Sequence, residues 1–104
     1  MPLIELTKDS FEQEVLQSKE TVLVDFYGER CGVCKMMAPV MEEIANENKG
    51  IKAAKLNISK AMPIARRYGV MSIPAFVVFK AGEAVARLTG EQSKSDILKM
   101  ILTD

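Results

Sequence analysis

The chain has no histidine and no tryptophan, and only two of its 104 residues are cysteine. Without an imidazole there is no Ser-His or Cys-His pair, which excludes hydrolases built on such a base. A four-ligand zinc site would have to recruit carboxylates, or the cysteines of a second copy, to supplement two thiolates, so no metal is expected. Charge of one sign is missing too. Fourteen basic and fourteen acidic residues give a formal net charge of zero, so nothing draws the chain to nucleic acid or to an anionic membrane. No apolar run approaches the roughly 18 residues of a transmembrane helix. The start, Met1-Pro2-Leu3-Ile4-Glu5-Leu6, lacks the basic opening and apolar stretch of a signal peptide, which reads as cytoplasmic.

The 48% of apolar residues suffices for one core, so a single domain over residues 1–104 is expected. The periodicity alternates between strand and helix. Short strands are expected at Leu3–Leu6, Thr21–Tyr27, Ile51–Ile58, Ala75–Phe79 and Ala84–Leu88, the last two joined as a hairpin by Lys80-Ala81-Gly82-Glu83. Helices are expected at Phe11–Gln17, capped by Asp9 or Ser10, from Cys31 to about Asn48-Lys49-Gly50, at Met62–Tyr68 and at Lys94–Leu102. Pro39 should kink or break the second of these. In the last, Ile97, Leu98, Ile101 and Leu102 form a stripe suited to core packing. This order predicts an α/β fold with a central mixed sheet and helices on both faces.

Both cysteines lie in Cys31-Gly32-Val33-Cys34, between the apolar strand and the long helix. Thiols three residues apart at a helix start share a face and can close and reopen a small disulfide ring. The unpaired N–H groups and dipole of the helix N-terminus favour a thiolate there. A static disulfide is the alternative, but so short a loop constrains the unfolded chain little, and a cytosolic compartment would reduce it.

Around this motif stand Val24-Asp25-Phe26, Lys35, Ala38-Pro39, Lys55-Leu56-Asn57, Tyr68-Gly69-Val70, Ile73-Pro74 and Phe79-Lys80-Ala81-Gly82. With these landmarks the chain resembles the thioredoxin family over essentially its whole length. The resemblance implies the thioredoxin fold, about five strands flanked by about four helices, and a protein-disulfide reductase cycling between a Cys31/Cys34 dithiol and an intramolecular disulfide. Cys31 would be the exposed nucleophile and Cys34 the resolving thiol. Asp25, the only charge in its strand, would be a buried carboxylate able to take the proton of Cys34, the alternative being a strand-edge residue bonded to backbone. Lys55 would pair with Asp25 and tune it, or be a solvated surface lysine. A cis Ile73–Pro74 bond would present the Ile73 backbone to an extended substrate. Ile58, Ser72, Ile73, Thr89 and Gly90 would ring a shallow apolar docking groove beside Arg30, Gly32 and Val33.

Two positions depart from the family pattern: Arg30 replaces the usual tryptophan before the motif, and Val33 the usual proline within it. A cation beside Cys31 and an added Val33 N–H both favour the reduced form, so a more oxidising couple is expected. The family further implies no bound cofactor, electrons from a separate thioredoxin reductase or another donor, disulfide-containing target proteins as substrates, and a monomer. A specialised member with one dedicated partner, and a thioredoxin-fold binding module without redox turnover, are the competing readings. Replacing Cys34 with serine separates them, since only a redox carrier would then trap partners through Cys31.

Overall fold

A computed structural model describes residues 3–47 and 50–102. Met1, Pro2, Asn48, Lys49, Thr103 and Asp104, with the parts of the expected start and helix end that fall on them, lie outside the described residues. The elements run β1 (Ile4–Leu6), a short helical segment (Glu12–Leu16), β2 (Thr21–Tyr27), α1 (Gly32–Glu47), β3 (Ile51–Asn57), a 3-10 turn (Ile58–Lys60), α2 (Met62–Arg67), β4 (Ala75–Lys80), β5 (Glu83–Thr89) and α3 (Lys94–Leu102).

The strands form one five-stranded sheet in the order β1-β3-β2-β4-β5. β1 and β2 run parallel to β3, and β4 runs antiparallel to both β2 and β5. β2 sits at the centre, and its run from Val22 to Phe26 is buried on both faces. This is why the strand reads as continuously apolar rather than alternating.

Alternation of side chains then divides the core in two. Val22, Val24 and Phe26 pack with Leu56, Val77, Phe79, Phe11 and Val15 on one face. Leu23, Phe76 and Val78 pack on the other with Met37, Met41 and Ile44 of α1 and Ile97 and Ile101 of α3. Asp25 lies between Val24 and Phe26 in β2, so it points to the α1 face.

Several expected boundaries move. The first helix is a single wide turn, its Gln17 N–H donating to Glu12 O at 2.9 Å, an i to i+5 bond. Neither Asp9 nor Ser10 caps it: the Ser10 hydroxyl instead accepts the Thr7 N–H at 2.9 Å, closing the preceding turn. β3 stops at Asn57, one residue early, because the Asn57 side chain accepts the Ser59 N–H at 3.0 Å and starts the 3-10 turn. α1 passes through Pro39 without a break. The exposed position of Pro39 leaves the buried stripe of Met37, Met41 and Ile44 undisturbed. Gly50 has φ +87°, the left-handed conformation expected after this helix. In α3, Ile97 and Ile101 are buried, but Leu102 is 81% exposed and leaves the expected stripe.

Candidate redox site

β2 leads through Gly28, Glu29 and Arg30 directly into α1, and Cys31 stands just ahead of the first helical residue, Gly32. Its carbonyl accepts the Lys35 N–H at 3.2 Å, the first bond of the helix. Its Sγ accepts the Cys34 N–H at 3.1 Å. Cys31 therefore caps the helix as a serine would, with sulfur in place of oxygen. An N–H aimed at sulfur favours the thiolate once the disulfide is reduced. In the disulfide form this donor is the Cys34 N–H.

The two cysteines are joined as a disulfide, with Cα atoms 5.2 Å apart. Their surroundings differ. Cys31 is half-buried at the surface, whereas Cys34 is one turn further in and buried. Behind Cys34 lies a cavity of about 190 Å³, whose lining includes Asp25, Tyr27, Glu29, Cys34, Lys35 and Lys55. It brings the resolving-thiol candidate, the buried carboxyl and the lysine expected near it to one space.

Asp25 is 4% exposed, and its Oδ1 has no hydrogen-bond partner among the described residues. Loss of water around the carboxyl pushes its pKa up to about 7; Lys55 opposes this shift and Glu5 adds to it. Lys55 tunes Asp25 downward by its charge as expected, but the two do not form an ion pair. Lys55 is the register partner of Asp25 across the β2–β3 ladder, yet its Nζ pairs with Glu5 of β1, at 3.5 Å. Glu5 is half exposed, so pairing there leaves both groups partly hydrated, while pairing with Asp25 would cost desolvation. The Tyr27 hydroxyl donates to Glu5 Oε2 at 2.8 Å, and Lys55 Nζ stands 5.6 Å from the centre of the Tyr27 ring. Sequence reasoning missed Glu5 and the hydroxyl of Tyr27. The available signal was that Glu5, like Asp25, is the only charge in its strand.

Ile73–Pro74 is cis. Pro74 is buried, and its carbonyl accepts the Gly90 N–H at 2.8 Å, which fastens the end of β5 to this loop. Ile73 is half-buried against the segment that leads to Cys31: a Cβ on Gly28 would lie 2.5 Å from Ile73 Cδ1. Ser72 and Thr89 are exposed, as are Arg30 and Gly32, and Val33 is half-buried. Ile58 is half-buried and packs against the core face built on Val24 and Phe26. Among the described residues no three His, Cys, Asp or Glu side chains are grouped to hold a metal ion. None of the described helices is long and apolar enough to cross a membrane.

The thioredoxin family model matches residues 2–103. A thioredoxin of Thiocapsa roseopersicina is 49% identical over 85 residues, covering 81% of this chain and 93% of its own length. A thioredoxin of Rickettsia felis is 44% identical over 97 residues, covering 92% of each chain. A bifunctional thioredoxin reductase/thioredoxin of Mycobacterium leprae is 43% identical over 97 residues; the match covers 92% of this chain but only 21% of that protein. Sequence identity, sheet order and a Cys31–Cys34 disulfide at the head of α1 agree, and the chain belongs to the thioredoxin family of thiol-disulfide oxidoreductases.

Proposed function

We propose that this chain, acting as a monomeric single domain of the cytoplasm, reduces disulfides in protein substrates, with Cys31 attacking and Cys34 resolving. The observation that carries this reading is the unequal placement of the two sulfurs: one at the surface, the other backed by the cavity that holds Asp25.

The Cys31 thiolate attacks one sulfur of a substrate disulfide. A Cys31–substrate bond forms, the substrate bond breaks, and the first substrate thiolate leaves and takes up a proton. Cys34 then gives its proton to the Asp25 carboxylate and attacks Cys31 Sγ, expelling the second substrate thiolate. The protein has lost two electrons and the substrate has gained them. With no histidine in the chain, a carboxyl held near pH 7 is suited to this transfer, being available as base yet able to hold the proton.

Electrons return from a separate reductase of the thioredoxin reductase type, and the chain itself holds no cofactor. A relative whose name joins the two activities supports this donor. Substrate lies across Arg30, Gly32 and Val33 on one side and Ser72, Ile73, Pro74, Thr89 and Gly90 on the other, Gly90 with φ +85° letting a partner backbone approach.

The test is turnover of a disulfide-bonded protein with dithiothreitol as donor. Wild type is expected to turn over. Pre-reduced Cys34→Ser, freed of dithiothreitol before substrate is added, is expected to stop after one event, as a mixed disulfide mapped to Cys31. A Cys34→Ser protein that keeps its full function without a covalent adduct would establish a binding module instead.

A further inference from the structure

Glu5, Lys55 and Asp25 occupy one row across three adjacent strands. Glu5 is the register partner of Lys55 on one side, and Asp25 is its partner on the other. All three fall on the α1 face of the sheet, because their neighbours Leu6, Leu56 and Val24 fill the opposite core. A single ammonium thus stands between two carboxyl groups, one strand from each. It pairs with the outer one, Glu5, at 3.5 Å, and Glu5 is fixed there by the Tyr27 hydroxyl at 2.8 Å. The Tyr27 ring lies beneath the ammonium, 5.6 Å from it.

We infer that Glu5 is a positioning residue for the dithiol reaction: with Tyr27 it holds the Lys55 ammonium toward the sheet edge and away from Asp25, leaving the Asp25 carboxyl free to accept and keep a proton. The inference rests on the proposed role of Asp25 as proton acceptor for Cys34. Distance decides that Glu5 acts chiefly through Lys55. Two strand spacings place Glu5 and Asp25 roughly 10 Å apart, about one Debye length, where direct repulsion across a half-exposed edge is weak. Lys55, one strand away, is the charge whose position matters. The raised pKa of Tyr27, about 12, agrees with a phenol that keeps its proton on Glu5 throughout the working range.

The other groups facing Asp25 leave this row as the variable element. On α1 these are Cys34, Lys35 and Glu42, and in the loop after β2 it is Glu29, all around the same cavity. Glu29 accepts a hydrogen bond from Asn57 Nδ2 at 3.3 Å. On β4 the register partner of Asp25 is Phe76, which is apolar.

The experiment is a carboxyl-carbon NMR titration of Asp25 in the oxidised protein, which remains folded because Glu5 is an exposed edge residue. Glu5→Gln is expected to lower the Asp25 midpoint by roughly one pH unit, the low end of what a cation gains on approaching to about 4–6 Å. Glu5→Asp is expected to keep the midpoint closer to wild type, and Lys55→Gln to raise it. In the Lys55→Gln background, Glu5→Gln should move the midpoint far less. An unmoved midpoint in Glu5→Gln, or an equal shift in both backgrounds, would overturn the inference. The pH profile of mixed-disulfide resolution is expected to follow the midpoint. If Asp25→Asn leaves that resolution rate unchanged, the proton-acceptor role fails and Glu5 loses its part in the reaction. An intact midpoint shift would then show that this failure lies in the mechanism and not in the charge row.

Discussion

Asp25 is costly to keep ionised, and the direction of that cost fixes a prediction. Its pKa stands at about 7 in the folded chain, against an ordinary 3.8. Between those values the folded protein keeps a proton that the unfolded chain releases, so stability falls as pH rises through this window and levels off above it. The full difference is at most about 4 kcal/mol. Asp25→Asn removes the titration while keeping the shape. Urea unfolding should find it more stable than wild type by about 2–4 kcal/mol at pH 8, with the gain gone near pH 4. A pH-independent difference would mean that the carboxyl is not desolvated as described. At this scale the sequence was informative where chemistry is local. Cys31 and Cys34 declare themselves by spacing, and Asp25 by being the lone charge in an apolar strand. Lys55 was readable as a charge acting on Asp25, but not as the ion-pair partner of Glu5, which depends on which strand lies on its other side. The Glu5–Tyr27 pairing could not be read for the same reason: 22 residues separate them in sequence, and only the sheet register joins them.

The hairpin between β4 and β5 shows how a short element can hold strain that packing overrides. Its two loop residues, Ala81 and Gly82, have φ +52° and +81°. A two-residue loop with both φ positive suits the twist of the flanking strands, but for alanine this region costs about 1–2 kcal/mol. Ala81→Asn is therefore expected to stabilise the fold by about 0.5–1 kcal/mol in denaturant melts. Gly82→Ala is expected to destabilise it by at least about 1–2 kcal/mol, because a Cβ there would lie 2.8 Å from the Leu16 carbonyl oxygen besides straining the backbone. Equal stability of both variants and wild type would contradict this turn. The hairpin itself was readable from two apolar runs around a glycine. The ends of other elements were not, because they are decided by side chains with competing uses. Ser10 closes a turn rather than capping a helix, and Asn57 turns the chain one residue before the expected end of β3.

Across the whole molecule, the unequal burial of the two cysteines, on which their proposed division of labour rests, follows from layering. α1 packs its buried stripe of Met37, Met41 and Ile44 on the sheet, which draws Cys34, near the start of the same helix, inward over Asp25. Cys31 stays at the rim, where β2 hands the chain to the helix. The sequence showed both elements and their order, hence the layers. It could not show the cavity, whose walls come from β2, β3, α1 and the segment near β1. The most direct measurement is alkylation of the reduced protein with iodoacetamide across pH, each site read by mass spectrometry. Cys31 should react first, with a midpoint below the roughly 8.5 of a free thiol, while Cys34 stays protected. Faster alkylation of Cys34, or a Cys31 midpoint at or above that value, would contradict the assignment of Cys31 as nucleophile.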